Sequence, residues 1–163
     1  MSFRCRTCGK THDELPRLGL DQPDQWFDMA PAQRDARGEL TSDTCVIDGE
    51  HFFIRGVIEI PVHGEATPFG FTVWVSQKKE NFETYVRHFE SADIGPFFGW
   101  LSNRISFYPD TLLLKTMAHF HGGGLRPTIH LDPTDHPLAV DQREGISLER
   151  AWQIVHHYDP GTS

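Results

Sequence analysis

The chain opens on Cys5-Arg6-Thr7-Cys8-Gly9-Lys10-Thr11-His12, and this stretch constrains its N-terminal end more than any other feature. Two thiolates at C-x-x-C spacing grip one tetrahedral ion at about 2.3 Å per Zn–S bond, which closes the backbone into a knuckle. Gly9 suits such a turn, because a chain folding round an ion needs φ > 0 just after the second cysteine. A redox reading is weaker. Redox C-x-x-C pairs open a helix in a βαβ setting, and the lead before Cys5 is too short for a strand.

A closed structural site takes four ligands. Cys45 is the natural third, and His12 and His51 compete for the fourth. Asp48-Gly49 lies between β-rich arms and signals a two-residue type I′ turn. That turn sets Ile47 against Glu50, Val46 against His51 and Cys45 against Phe52. Since side chains alternate along a strand, Cys45 and His51 then fall on opposite faces, and His12 is favoured. The expected site is Zn2+ on Cys5, Cys8, His12 and Cys45, with a bulge or longer turn reopening His51. The bland alternative for Cys45 is a buried thiol, since free cysteine is among the most buried types. A Cys3His site is coordinatively full, ties the N-terminal arm to the first strand of the sheet, and contributes its binding energy to folding.

Length and charge limit the remaining choices. A chain of 163 residues with twelve Phe and four Trp is one domain by the length prior and carries enough apolar matter for an aromatic core. No apolar run approaches the ~18 residues of a membrane span. Met-Ser-Phe-Arg-Cys lacks the apolar core of a secretory signal, so a cytoplasmic location is expected. Fifteen basic against 23 acidic residues, net −8, is the wrong balance for phosphate backbones, so nucleic acid is not an expected partner. Three cysteines, an odd number, exclude a closed disulfide framework within the chain.

Periodicity predicts short helices at Asp24–Met29 and Pro31–Arg37, with Pro31 suited to a first turn. Thr44–Ile47 and Glu50–Pro61 read as a hairpin, and Pro68–Ser76 as a third strand. Asn81–Glu90 has helical spacing of Phe82, Tyr85, Val86 and Phe89. Gly95–Leu101 reads as an aromatic-rich loop or short helix, and Thr111–His121 and Arg126–Leu131 as further strands. Two C-terminal helices follow, Pro137–Glu144 and Leu148–His157, the latter capped by Ser147 with an apolar stripe of Leu148, Ala151, Trp152 and Val155. The expected fold is α+β: a largely antiparallel central sheet with helices at both ends and an N-terminal zinc knuckle. The domain spans 1–163, with a knuckle arm at 1–22, the sheet at 44–131 and the C-terminal helices at 135–158.

Outside the knuckle, the chemistry-bearing residues are His119-Phe120-His121, His130 and Asp135-His136. On a strand, His119 and His121 share a face and could grip one ion. Asp135-His136-Pro137 reads first as a helix start with Asp135 as the cap, and second as an imidazole oriented for general-base work. Arg55, Arg126 and Gln142 could line a pocket for a carboxylate or phosphate. Their bland reading is internal pairing with Glu59, Asp132 or Glu144.

Several motifs recur together: Cys5-x-x-Cys8-Gly9-x-x-His12, Asp43-x-Cys45-x-Ile47, Phe53-Ile54-Arg55-Gly56, Arg126-Pro127 and His136-Pro137-Leu138-Ala139 with Gln142-x-x-Gly145-Ile146. In these the chain resembles a bacterial family of small proteins classed only as a domain of unknown function. The resemblance runs from Cys5 to about Val155 and implies a one-domain bacterial protein, with no activity attached. The expected function is non-catalytic binding of a protein or small ligand. The alternative is a metal-dependent hydrolase with an open zinc, or one using His119, His121 and His136.

Overall fold

The computed structural model describes residues 3–4, 11–12 and 15–158. Among the described residues the elements run β1 (Phe3–Arg4), β2 (Thr11–His12), β3 (Leu18–Gly19), α1 (Asp24–Phe27), α2 (Pro31–Arg37), β4 (Gly38–Leu40), β5 (Thr44–Ile47) and β6 (His51–Ile60). They continue with β7 (Phe69–Gln77), α3 (Lys79–Arg87), β8 (Phe97–Trp100), β9 (Lys115–His119), β10 (Thr128–Leu131), α4 (Pro137–Glu144) and α5 (Leu148–Tyr158). β1 and β2 pair antiparallel as a separate ribbon, Phe3 opposite His12, so a two-residue strand does precede Cys5, contrary to the expectation that the lead is too short for one.

The long strand β6 organises the main sheet. It pairs antiparallel with β7 along its whole length. On its other edge, the first half takes β5 and the second half takes β10. The strand order is β3-β7-β6-β10-β9-β8, with β5 beside β6 and β4 beside β5. Contrary to the largely antiparallel expectation, the sheet is mixed, because β3 runs parallel to β7 and β10 parallel to β6. The β10 junction depends on Gly56: a Cβ there would lie 2.9 Å from the Pro127 carbonyl oxygen and collide with Ile129. Val57 N donates to that carbonyl at 2.9 Å. The segment expected as an aromatic loop or short helix, 95–101, holds strand β8, whose aromatic residues alternate across the sheet instead of turning as a helix.

The sheet curls until its last strand, β8, comes back against β7. Leu101, just past β8, bridges to Val75 of β7. Ser102 N donates to the Trp74 carbonyl at 2.8 Å, and Trp100 N to Ser76 Oγ at 3.1 Å. Gly99 makes room for this closure, since a side chain there would strike the Ser76 carbonyl.

Alternation along β6 and β7 separates two cores. Ile54, Ile58, Ile60, Phe69, Phe71, Val73 and Val75 face inward, where Phe82 and Tyr85 of α3 and Ala151, Trp152, Ile154 and Val155 of α5 complete the main cluster. The predicted stripe on the last helix is thus buried, and Arg150 N donates to the capping Ser147 Oγ at 3.1 Å. On the outer face, Cys45, Ile47, Phe53 and Trp74 form a smaller cluster with Met29, flanked by Trp26 and Leu40. The segment carrying α1 and α2 covers this half of the outer face, while Arg55, Val57 and Glu59, on the same face of β6, extend beyond that cluster.

The C-terminal motif is structural. The α4 cap is His136, not Asp135: its Nδ1 accepts from Leu138 N at 3.1 Å. The proton is therefore on Nε2, which lies 3.2 and 3.1 Å from the carbonyls of Pro109 and Asp110. Leu138 and Ala139 are buried. Gln142 acts as a short extra strand: Oε1 accepts from Leu131 N at 2.8 Å and Nε2 donates to the Ile129 carbonyl at 2.7 Å. Ile146 N donates to Pro61 O at 2.8 Å, which fastens the end of α4 to the chain leaving β6.

Gln142→Ala should cost about 1–3 kcal/mol, because it strands a donor and an acceptor of β10. Gly56→Ala should destabilise through the β10 clash. Denaturant midpoints read both, with an exposed control such as Glu83→Ala staying within about 0.5 kcal/mol.

Candidate functional site

The uncovered half of the outer face forms a groove of about 500 Å³ lined by Arg17, Asp43, Val57, Glu59, His121, Gly124, Leu125, Arg126 and Thr128. Its floor is set by register. Thr128 of β10 stands beside Val57 of β6 and opposite His119 of β9. Two residues further on each strand, Glu59 and His130 lie on the same face, with His130 opposite Met117.

The polar groups here are partly committed to one another. Arg126 Nε donates to Asp43 Oδ1 at 2.8 Å. His121 Nε2 lies 2.6 Å from Thr128 Oγ1. The rings of His119 and His130 meet edge to face, centroids 4.6 Å apart. Burial and the neighbouring His119 push the His130 pKa below the ordinary histidine value, while Glu59 pulls the other way. Behind the sheet, in the main core, Tyr85 is buried and its hydroxyl has no hydrogen-bond partner among the described residues. Burial and the charge of Asp43 push its pKa up to about 12, against the pull of Arg126.

Of the residues singled out from sequence, the structure brings His121 and Arg126 into this groove and sets His119 and His130 beside it on the same sheet face. Arg55 takes the bland reading with other partners: it donates to Asp21 at 3.2 Å and to the Ser42 carbonyl at 3.2 Å, and its guanidinium stacks over Trp74 at 5.7 Å. Gln142 and His136 are spent on the fold. Sequence reasoning did not find Arg17, Asp43, Glu59 or Thr128 as groove residues. The alternation of Arg55, Val57 and Glu59 on β6 carried part of the signal, but the joining of β6 to β10 is invisible in sequence.

Cys5 and Cys8 lie outside the described residues, and His12 is described only by its backbone place in β2. Among the described residues, no group of three or more His, Cys, Asp and Glu could hold a metal ion, so a zinc site has to draw on the knuckle. Cys45 is fully buried among Met29, Ile47, Phe53 and Trp74, and burial pushes its thiol up to about 12. The hairpin register differs from the expected one. Ile47 pairs with His51, Val46 with Phe52 and Cys45 with Phe53, because the loop holds Asp48, Gly49 and Glu50 and not two residues. This one-residue change puts Cys45 and His51 on the same face, so the geometric argument against His51 falls. His51 lines a second groove, of about 490 Å³, floored by Met29, Ile47 and Phe53 and rimmed by the Arg37–Asp48 ion pair at 2.7 Å.

With its thiol neutral and shut away from solvent, Cys45 should resist alkylation in the native protein and react only on unfolding. Peptide mapping after timed iodoacetamide treatment reads this directly. Fast native labelling at Cys45 would contradict the burial.

A family model for an uncharacterised protein conserved in bacteria, DUF2199, matches residues 4–146, and the chain belongs to that family. No curated protein and no solved structure matches it.

Proposed function

We propose that this member of the bacterial family is a zinc-stapled binding module whose small-molecule site is the outer-face groove. The observation that carries the reading is the groove itself. It has a volume within the range of ligand pockets, and its Arg126, His121 and Thr128 stand on a rigid sheet where strands β6 and β10 join. His136 supports binding over hydrolysis, since both its ring nitrogens serve the start of α4 and the 109–110 carbonyls. No helix among the described residues is long and apolar enough to cross a membrane.

Zn2+ in this reading sits on Cys5, Cys8 and Cys45, with His12 as fourth ligand and His51 as its rival. A metal deprotonates a coordinating thiol outright, so the neutral state of Cys45 without metal does not disqualify it. Elemental analysis of tag-free protein should give about one zinc per chain, lost in Cys8→Ser together with thermal stability. Loss in His12→Ala but retention in His51→Ala assigns the fourth place to His12, and the reverse assigns it to His51. Metal-free protein from a reducing, chelator-free preparation would end the zinc reading.

The groove is tested by a thermal-shift panel of small carboxylates, phosphates, amines and neutral sugars on wild type, Arg126→Gln and Val57→Phe. At least one compound should raise the wild-type melting temperature and fail to raise that of both folded variants. Hits that persist in both variants, or no hit at all, defeat the groove as the ligand site.

A further inference from the structure

One of the chain's ten histidines, His121, lines this groove from the loop after β9, and what surrounds it defines a ligand class; the argument rests on the groove being the ligand site. Two more, His119 of β9 and His130 of β10, stand beside it on the same face of the sheet, within electrostatic reach of His121 and Glu59. Facing them are Glu59 of β6, Asp43 ahead of β5, Arg126 ahead of β10 and Arg17 ahead of β3. With the imidazoles neutral, two guanidinium charges cancel two carboxylates. Each proton taken up by a histidine then makes the groove net positive, on a protein whose formal charge is −8.

The hydrogen-bond accounts lean the same way. Asp43 takes the Nε–H of Arg126, and the other four N–H groups of that guanidinium have no partner among the described residues. Arg17 lays its aliphatic stem over the Gly70 position, and its head group has no ion pair or hydrogen bond there either. Planar, multidentate guanidinium donors match oxyanions in geometry and charge.

We propose that the groove binds a small dianionic oxyanion, of the phosphate-ester type, between Arg17 and Arg126, and that the histidine cluster takes up a proton as the anion enters. Histidine is the side chain that changes charge between about pH 5 and 8. An anion beside an imidazole favours its charged form, so the ligand raises the imidazole pKa and, by linkage, binds more tightly as pH falls. Burial and the neighbouring His119 press His130 toward its neutral form, and an anion in the adjoining groove works against the His119 contribution.

Sulfate is the probe, because it stays a dianion across this range. Calorimetric titration at constant ionic strength should show affinity at least about tenfold higher near pH 5.5 than near pH 8. Repeating it in two buffers of different ionisation enthalpy should show proton uptake. Arg126→Gln and Arg17→Gln should each abolish binding. His130→Gln should flatten the pH dependence while circular dichroism shows an unchanged fold. Should Arg126→Gln fail to fold, Arg17→Gln, whose head group makes no hydrogen bond or ion pair among the described residues, carries the same test. Affinity equal at the two pH values, no sulfate binding near pH 5.5, or binding that survives Arg17→Gln each overturns the proposal. So does succinate outcompeting sulfate, which would mark a site for two separated carboxylates. If sulfate fails while neutral or cationic panel compounds still bind in a groove-dependent way, this inference falls and the binding module stands.

Discussion

The strict alternation of side chains along β6 is the constraint on which the rest of the molecule depends. Ile54, Ile58 and Ile60 point inward to the main core, and their intervening neighbours point outward to the opposite face. That parity settles which residues α3 and α5 cover, which the segment carrying α1 and α2 covers, and which stay open to form a groove. Because β6 is longer than either partner on its second edge, β5 and β10 share that edge in succession. The groove lies along the stretch of β6 joined to β10, beyond the small outer cluster.

A polar scaffold holds this arrangement in register. Buried Asn103 accepts from Trp74 N at 2.8 Å and donates to the Gln22 carbonyl at 2.9 Å, linking the closure of the sheet to the segment before α1. Asp141 of α4 accepts from the Tyr108 hydroxyl at 2.7 Å and from Arg150 of α5, whose guanidinium also lies over the Phe107 ring. Buried polar groups of this kind are costly unless satisfied. Once satisfied, they fix one packing of helices on sheet among several that apolar contacts alone would permit.

The same residue type serves three purposes in this chain, and only position separates them. His136 caps a helix, His51 stands exposed beside Glu50 at 3.4 Å, and His121, with His119 and His130 beside it on the sheet, stands at the groove. A motif therefore misleads when read as chemistry by itself. The longest motif of the chain, at the start of α4, is a fastening device: cap, buried pair, backbone clamp and turn. The less patterned residues Arg17, Glu59 and Thr128 line the cavity.

Several elements follow from sequence alone, for physical reasons that are local. Pro31 and Pro137 open helices because proline needs no donor in a first turn. The α5 stripe follows helical periodicity, and β7 reads as a strand from its run of β-branched and aromatic residues. The zinc knuckle is a claim of the same local kind, made by ligand spacing. What the sequence could not determine were the parallel joins of β3 to β7 and β10 to β6, the curl that brings Leu101 back to Val75, and one extra residue in the hairpin loop. Each depends on which distant strand arrives and in what register, and a shift of one residue reverses every side chain. The pattern of the chain thus decided where helices and strands form. The tertiary structure decided that Cys45 and His51 share a face, and that His121, Arg126 and Glu59, far apart in sequence, line a single groove.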